Sequence, residues 1–242
     1  MTKIIGVLMT FNCEKVVEKA INKIPKDKLY KLICTDDGST DKTVEIVKSH
    51  GIEVVENEHF GYGANLFSGM KKAFDMGATH VAEIHGDGQY DYNQIQPLKE
   101  RFDNNADLVL GDRFYDMKQP LRDGMPLFIY VGNIFLSLAG RILLSLNLGD
   151  LFPGFRGYSK KFFEEMKGAE FSNDYKFSFE IIARSKYKNL NIVSVPVRCD
   201  YKSEHHTAPI SKAFPIIFNV IYTGLAYRFN KFNIKLRKNL FK

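Results

Sequence analysis

The segment Leu29-Tyr30-Lys31-Leu32-Ile33-Cys34-Thr35-Asp36-Asp37-Gly38-Ser39 sets an apolar run directly before an acidic turn. The run from Leu29 to Cys34 predicts a buried strand, and Asp36 to Ser39 predicts the turn that ends it. A helix capped by Thr40 or Asp41 follows the turn. A strand, a polar turn and a helix in this order are half of a βαβ unit, which indicates a parallel sheet.

The same alternation of strands and helices extends to both sides of this segment. Further strands are predicted at Lys3 to Met9, Ile52 to Val55, His80 to Ile84 and Asp107 to Leu110. Helices are predicted at Glu14 to Ile24, from the cap at Thr40 or Asp41 to about His50, at Asn65 to Asp75 and at Gln94 to Phe102. We therefore predict an α/β protein with a Rossmann-like, mostly parallel sheet that has helices on both faces.

Polar residues cluster where three of the predicted strands end. The clusters are Thr10 to Glu14, Asp36 to Ser39 and His85 to Gln89. In parallel sheets, ligands bind beyond the carboxyl ends of the strands. The three loops therefore predict one shared binding site.

Asp36 and Asp37 have two possible roles. An Asp-Gly pair commonly does no more than form a turn. A carboxylate at a strand end can also accept the imino N–H of a uracil or guanine base, which would indicate a nucleotide ligand. The segment Gly61-Tyr62-Gly63-Ala64-Asn65 likewise either cradles a phosphate or lets a helix start close to the sheet.

His85, Asp87 and Gln89 alternate along a segment that is expected to be extended, so their side chains are predicted to share one side. An imidazole, a carboxylate and an amide oxygen suit Mn²⁺ or Mg²⁺ that is already bound to a diphosphate. Gly86 and Gly88 let the backbone approach that diphosphate. The alternative for His85 is a structural histidine.

Two apolar segments follow residue 120. The first, Leu127 to Leu148 within an amphipathic region at 125–148, contains Arg141, and the second is Ala213 to Tyr227. A spanning helix needs about 20 predominantly apolar residues, and a charge near its centre is costly. We therefore predict amphipathic helices that lie in a membrane interface, with ordinary core helices as the alternative.

The net charge of +6 is a property of the C-terminus. Residues 228–242 contain six basic residues and no acidic one, which leaves residues 1–227 formally neutral because 6 − 6 = 0. Apolar residues alternate with these cations, a pattern that favours an anionic membrane surface over nucleic acid. The alternative is a solvated, frayed terminus. The expected domains are 1–206 and a membrane-associating unit at 207–242.

The cysteines and the N-terminus bear on location. Cys13, Cys34 and Cys199 show neither disulfide nor metal-site spacing, which favours a reducing compartment. The apolar run from Ile4 to Met9 is too short for the core of a signal peptide. We therefore expect a peripheral protein at the cytoplasmic face of a membrane.

From Ile4 to about Lys202 the chain resembles the family 2 glycosyltransferases of GT-A fold, especially the branch of dolichyl-phosphate mannose synthase and related polyprenyl-phosphate glycosyltransferases. The motifs occur in family order at Met9 to Glu14, Asp36 to Asp41, Tyr62 to Asn65, His85 to Tyr90, Gly111 to Phe114 and Asp150 to Tyr158. One departure is His85, which stands in place of the family's first aspartate.

The resemblance implies roles for particular residues. The expected ligands of a nucleotide-sugar are Thr10, Asn12, Glu14, Asp36, Asp37, Gly63 and Asp87. The expected metal ligands are His85, Asp87 and Gln89, and the expected catalytic residues are Asp87, Arg113 and Arg156. Arg113, Arg156 and Lys202 are expected to contact an acceptor phosphate, which guanidinium groups bind bidentately. His205 and His206 are further, weaker candidates for binding a phosphate or a second ligand.

The implied reaction is inverting transfer of a hexose from a UDP- or GDP-sugar to a polyprenyl or dolichyl phosphate. One alternative is transfer to a soluble or growing glycan, for which Asp112 or Asp150 would be the base. Another alternative is a non-catalytic, membrane-associated subunit.

Overall fold

A computed structural model describes residues 2–202 and 213–242. Their strands form one seven-stranded sheet in the order β3-β2-β1-β4-β6-β5-β7. The strands are β1 Ile4–Thr10, β2 Lys31–Asp36, β3 Glu53–Glu56, β4 His80–His85, β5 Leu108–Asp112, β6 Arg156–Ser159 and β7 Ile192–Pro196. All neighbours pair in parallel except β6, which is antiparallel to both β4 and β5. The predicted α/β class and mostly parallel sheet are confirmed.

Helices cover both faces of the sheet, as predicted. They are α1 Val17–Lys23, α2 Thr43–Ser49, α3 Tyr62–Asp75, α4 Ile95–Asp103, α5 Gln119–Arg122, α6 Leu127–Leu144, α7 Lys160–Met166, α8 Phe177–Tyr187 and α9 Ala213–Lys231. Side chains alternate along β1, so Ile5 and Val7 join the core with α3, α6, α7, α8 and α9. Ile4 and Leu8 join the second core with α1, α2 and α4.

Several local predictions need correction. The N-cap of α2 is Lys42 rather than Thr40 or Asp41, although Asp41 accepts a hydrogen bond from the Thr43 N–H. The apolar segment Leu127 to Leu148 is helical only as far as Leu144, because Ser145 adopts a left-handed conformation that ends the helix. The elements β6, α7, α8 and β7 were not predicted. In β6 the cause is its sequence, Arg-Gly-Tyr-Ser, which shows no apolar pattern.

The C-terminal region packs on the same body as the sheet. α9 lies against α6, and Gly224 allows the two helices to approach closely at Leu143. Leu240 and Phe241 are buried in the core, where the Arg184 guanidinium donates to the Leu240 carbonyl at 2.6 Å. The three cysteines are free. The predicted boundary at residue 206 lies outside the described residues, as do His205 and His206.

α6 differs from the other helices among the described residues. By length and composition alone, it is the one helix there that would be able to cross a membrane, a test that a core helix of a soluble protein can also pass. Its inner side, with Ser137, Gly140 and Leu144, is buried. Its outer side is largely exposed.

The close contact between α6 and α9 predicts opposite effects for two glycine substitutions. In Gly224→Ala the new Cβ would lie 2.6 Å from the Leu143 Cβ, so we expect a loss of about 1–3 kcal/mol in the free energy of unfolding. In Gly132→Ala, on α6, the new Cβ meets no atom within 4 Å. That helical position should instead gain about 0.5–1 kcal/mol. Urea unfolding of both variants checks the prediction, and equal effects would contradict it.

Candidate active site

The loops that follow β1, β2 and β4 line one cavity of about 1170 Å³. The residues that these loops contribute are Phe11, Asn12, Cys13, Glu14, Asp37, Asp41, Gly86, Asp87 and Gln89. The three strand ends thus meet at one cavity, and their role as a binding site stays a prediction. The remaining lining comes mainly from α6, from the segment 152–154 and from residues 173–175.

Asp36 holds the first two loops together. Its carboxylate accepts hydrogen bonds from the Thr10 hydroxyl at 2.7 Å and from both the backbone N–H and the hydroxyl of Ser39 at 2.7 Å. Asp36 is buried and is not among the residues that line the cavity. Its carboxylate therefore shapes the turn, while its neighbour Asp37 reaches the cavity.

Asn12 and Glu14 add further links between the same loops. The Asn12 side-chain oxygen accepts from the Thr40 N–H at 2.8 Å, and the Glu14 carboxylate accepts from the Lys42 N–H at 2.9 Å. Glu14 thereby satisfies a backbone donor at the start of α2. Both residues also line the cavity. The two loops are consequently held in one arrangement before any ligand arrives.

Asp37 lines the cavity next to His59, which belongs to an aromatic pair. Its carboxylate accepts from the Gly61 N–H at 3.1 Å and lies 3.1 Å from the Nδ1 of His59. The His59 ring stacks on Phe11 with a centroid distance of 4.5 Å. Both rings line the cavity, and sequence reasoning missed them because their contact joins two separate loops. Gly63 lies behind the cavity wall, where α3 packs against Phe177.

His85, Asp87 and Gln89 all line the cavity, but the segment between them is not extended. Gly86 and Asp87 form a turn, and Gly88 has a positive φ of 65°. The Oδ1 of Asp87 accepts from the Gln89 N–H at 3.0 Å, which leaves Oδ2 without a hydrogen bond among the described residues. The prediction of an extended segment was wrong, and the turn brings the three side chains to one cavity instead.

These three side chains suit a divalent cation only in combination with a ligand. Within residues 2–202 and 213–242, no group of three or more His, Cys, Asp or Glu side chains could hold a metal ion. Mg²⁺ is usually bound by one or two carboxylates together with phosphate oxygens of the substrate. The donor set of His85, Asp87 and Gln89 therefore fits an Mn²⁺ or Mg²⁺ ion that a diphosphate helps to hold.

Glu83 is a site residue that sequence reasoning missed. Its fully buried carboxylate accepts hydrogen bonds from the hydroxyls of Tyr62 and Tyr158 and lies 2.8 Å from the Nε2 of His85. Burial acts to raise the pKa of Glu83, but His85 and then Arg156 outweigh it and hold that pKa below its usual range. A charged residue inside an otherwise apolar strand was the available signal.

Arg113 belongs to the opposite side of the cavity. Its guanidinium donates to the Asp150 carboxylate at 2.5 and 3.1 Å and to the Tyr201 hydroxyl at 2.8 Å. A weaker contact of 3.3 Å links it to the Asn133 side chain of α6. Arg113 lines the cavity, whereas Asp150 is fully buried behind it.

Arg156 and Lys202 do not line the main cavity. Arg156 is fully buried and donates to the carbonyls of Pro153 and Ser178, at 2.8 and 3.1 Å. Its Nη2 has no partner among the described residues, and the side chain interacts electrostatically with Glu83. Lys202 lines a second groove of about 570 Å³, which shares Gln89 and Tyr90 with the main cavity. The structure thus brings neither residue to the wall that holds Arg113.

The sequence profile of glycosyl transferase family 2 matches residues 7–167, which is most of the sheet and the loops just described. The chain belongs to glycosyl transferase family 2. The resemblance inferred from the motifs is therefore confirmed. The Asp36-Asp37 turn, the His85 to Gln89 turn and β6 all fall within the matched range.

Relatives of this glycosyltransferase span nearly its whole length. It is 25% identical to the UDP-N-acetylglucosamine–dolichyl-phosphate N-acetylglucosaminyltransferase of Methanococcus voltae, over 93% of this chain and 96% of that one. It is 25% identical to the dolichyl-phosphate hexose transferase of Haloferax volcanii, over 79% of this chain and 80% of that one.

A solved structure confirms the GT-A fold of this glycosyltransferase. Glucosyl-3-phosphoglycerate synthase from Mycobacterium tuberculosis, in complex with Mn²⁺, UDP and glucosyl-3-phosphoglycerate, superposes with a TM-score of 0.64. The two are 20% identical, and the superposition covers 93% of this chain and 80% of that one.

Neither carboxylate that the sequence suggested as a base lines the cavity of the glycosyltransferase. Asp150 is paired with Arg113 and also accepts from the Phe152 N–H. Burial raises the pKa of Asp112 above its usual range, and Asp150 adds to that rise, but Asp112 lies outside the cavity lining. Asp174 is a further carboxylate that lines the cavity, and it is paired with Lys176 at 3.3 Å.

The buried pair of Asp150 and Arg113 predicts a large stability effect. Asp150→Leu should lower the free energy of unfolding by about 3–5 kcal/mol because it leaves the Arg113 guanidinium buried without its counter-ion. The double variant Arg113→Met/Asp150→Leu should recover most of that loss. Asp75→Leu, which breaks an exposed pair with Lys71, is the control and should cost less than about 1 kcal/mol. Urea unfolding measures all three, and a double variant as unstable as Asp150→Leu would contradict the prediction.

Proposed function

We propose that this glycosyltransferase moves a hexose from a UDP- or GDP-sugar to a polyprenyl phosphate at a membrane surface, with inversion and with the help of Mn²⁺ or Mg²⁺. One observation carries the proposal. A single cavity is lined by polar strand ends and by an apolar wall that α6, Phe152 and Ile216 form, and Arg113 contacts Asn133 of that helix. The printed names of the two dolichyl-phosphate transferase relatives support the same acceptor class.

The polar side suits the donor. Asp37 can accept the imino N–H of a uracil or guanine base, while Phe11 and His59 offer ring surfaces to that base. His85, Asp87 and Gln89 would hold the divalent cation together with the donor diphosphate, as a structure containing Mn²⁺ and UDP suggests by analogy. When bound, such a cation offsets the charge that develops on the departing nucleotide diphosphate.

The apolar wall suits a lipid acceptor. The wall consists of apolar side chains that line the cavity. They are Phe128, Ile129 and Leu136 of α6, Ile216 of α9, and Phe152 from the loop before β6. A polyprenyl chain can bury its methyl and methylene groups against such a wall, at roughly 25 cal/mol per Å².

A phosphate acceptor also explains why neither Asp112 nor Asp150 lines the cavity as a base would. Lipid phosphate is already anionic at neutral pH, so it needs orientation by a cation more than deprotonation. Arg113 lines the cavity, and Asp150 behind it holds the guanidinium in place with two hydrogen bonds. A hydroxyl acceptor would instead need a carboxylate near its oxygen, and Asp112 and Asp150 lie behind the wall. Asp174 would be the remaining candidate for that alternative.

The surface around the apolar wall suits a bilayer. We define the apolar face as the exposed stripes of α6 and α9, which run side by side because the two helices pack together. Its members are Leu127, Phe128, Val131, Phe135, Leu138 and Ile142 of α6, and Phe214, Phe218, Ile221, Tyr222, Leu225 and Phe229 of α9. Exposed patches of this extent mark interaction surfaces.

Cations stand next to the apolar face. Lys231, Lys235 and Lys238 are exposed just beyond its α9 end, beside the exposed side chains of Phe232 and Ile234. This arrangement favours an anionic bilayer over a second protein chain as the occupant. The cytoplasmic side of that bilayer stays a prediction from the sequence.

A turnover assay with purified protein tests the donor and acceptor together. UDP- and GDP-linked sugars with Mn²⁺ are offered to polyprenyl phosphate, to the uncharged polyprenol and to soluble glycans. We expect transfer to the phosphate alone, and we expect Asp87→Asn to slow it roughly 100-fold or more because it removes a charge at the diphosphate. UDP binding without a divalent cation should be unchanged. Asp91→Asn, a nearby carboxylate outside the main cavity, is the matched control.

Other outcomes of this assay select other functions. Transfer to soluble glycans without lipid would establish the glycan alternative. Absence of both transfer and Mn²⁺-dependent binding of UDP or GDP would establish the non-catalytic alternative.

The apolar face predicts how the protein binds vesicles. Phe135→Glu and Phe218→Glu should each weaken binding to vesicles that contain anionic lipid by roughly tenfold or more, since burial of a Phe side chain contributes about 1.5–3 kcal/mol. Tyr30→Glu is the control, because Tyr30 is as exposed as Phe135 but lies just before β2, outside the apolar face. Sedimentation with vesicles measures the effect.

Two further arms identify the occupant of the face. Lys231→Glu/Lys235→Glu should weaken binding to anionic vesicles and leave binding to neutral ones unchanged. Point variants are used because truncation at residue 228 would remove Leu240 and Phe241 from the core. A wild-type dimer that Phe135→Glu dissociates would show that a second copy covers the face instead.

A further inference from the structure

We propose that Glu83 is a positioning residue, which fixes the His85 ring through Nε2 so that Nδ1 is presented to the donor diphosphate and its cation. The inference rests on the proposed function, because it presumes a metal-dependent donor site. It adds a residue that is fully buried and does not itself line the cavity.

The Glu83 carboxylate is held from several sides. Tyr62 of α3 donates to Oε1, Tyr158 of β6 donates to Oε2, and the His85 Nε2 lies 2.8 Å from Oε1. Glu83 is fully buried, and the buried guanidinium of Arg156 interacts with its charge. A carboxylate with this many partners has little freedom to move.

This contact determines which nitrogen of His85 carries a proton. Both Glu83 oxygens accept from tyrosine hydroxyls, so the Nε2 that lies 2.8 Å from Oε1 is the donor. Nδ1 makes no hydrogen bond within the part of the chain that the structure describes. The His85 side chain keeps 25% of its surface exposed while its Nε2 partner is fully buried, so its accessible part faces the cavity.

Packing fixes the plane of the ring. The rings of Tyr62 and Tyr90 make edge-type contacts with His85 at centroid distances of 6.0 and 6.1 Å. Gly154 allows a close approach from a third side, since a Cβ there would lie 2.8 Å from Cε1 and 3.2 Å from Nδ1 of His85. The imidazole therefore cannot rotate to exchange its two nitrogens without displacing these neighbours.

The arrangement has a chemical consequence. A histidine whose second nitrogen donates to a carboxylate is a better metal ligand, because the carboxylate fixes its tautomer and raises its basicity. Binding of a cation at Nδ1 displaces any proton that the metal-free ring holds there. His85 stands where the family has an aspartate and carries no negative charge itself. The Glu83 carboxylate next to it supplies a negative charge close to the same position.

Glu83→Gln tests the inference through cation binding rather than through turnover. Calorimetry measures the affinity for Mn²⁺ in the presence of saturating UDP, and the affinity for UDP without a divalent cation. We expect Mn²⁺ affinity to fall roughly 10–100-fold, as for other residues that orient a metal ligand. UDP affinity without the cation should stay within about twofold. Tyr158→Phe, which removes a different hydrogen bond to the same carboxylate, is the matched control and should keep most of the Mn²⁺ affinity.

A second background separates positioning from a merely structural role. In His85→Asp no imidazole needs orientation, so adding Glu83→Gln should change Mn²⁺ affinity far less than it does in the wild type. Equal losses in both backgrounds would overturn the inference, and so would unchanged Mn²⁺ affinity in Glu83→Gln alone. Wild-type protein that binds no Mn²⁺ with UDP or GDP would overturn the proposed function first, and the inference with it.

A measurement on the wild type covers the case in which Glu83→Gln does not fold. In ¹⁵N-labelled protein with Mg²⁺ and UDP, long-range ¹H–¹⁵N spectra should show His85 protonated at Nε2 and unprotonated at Nδ1. A proton on Nδ1 in that complex would overturn the inference.

Discussion

A buried charge in the middle of the sheet is the constraint on which the site depends. Glu83 lies on β4, the strand between β1 and β6, and its carboxylate has no contact with solvent. An isolated charge there would be strongly unfavourable, so it must be matched by hydrogen bonds and an opposite charge. Tyr62, Tyr158, His85 and Arg156 supply them, from α3, from β6 and from the edge of the cavity. The same interactions that make the charge tolerable also hold one wall of the site.

The proposed donor side is organised before a ligand binds. Asp36 joins the ends of β1 and β2, while Asn12 and Glu14 accept backbone N–H groups from the second loop. Asn12 and Glu14 therefore make structural hydrogen bonds as well as lining the cavity. The remaining groups at the cavity, Asp37 and Asp87, are thereby presented from rigid supports, which reduces the ordering that ligand binding requires.

The proposed acceptor side depends on two helices that are distant in sequence. α6 contributes the apolar wall and the Asn133 contact to Arg113, and α9 packs along α6 with the help of Gly224. Arg228 donates to the carbonyls of Ile142 and Leu143 at the end of α6, each at 2.6 Å. Arg237 pairs with buried Glu180 of α8 at 2.8 Å. The basic C-terminus therefore anchors the helices as well as carrying exposed cations.

The sequence by itself determined the order of the first five strands, the helices between them and the three polar strand ends, because periods of 2 and 3.6 residues are local properties. It also placed Asp37, His85, Asp87 and Gln89 at one cavity, since the order and spacing of motifs can be read directly from the sequence. The tertiary structure decided the rest. It made Arg156 the counter-charge of Glu83, set Lys202 in a second groove, inserted β6 antiparallel between β4 and β5, and buried Leu240 and Phe241. Each of these outcomes depends on which distant residues become neighbours, and a side chain's burial and charge partners have no local signature in the sequence.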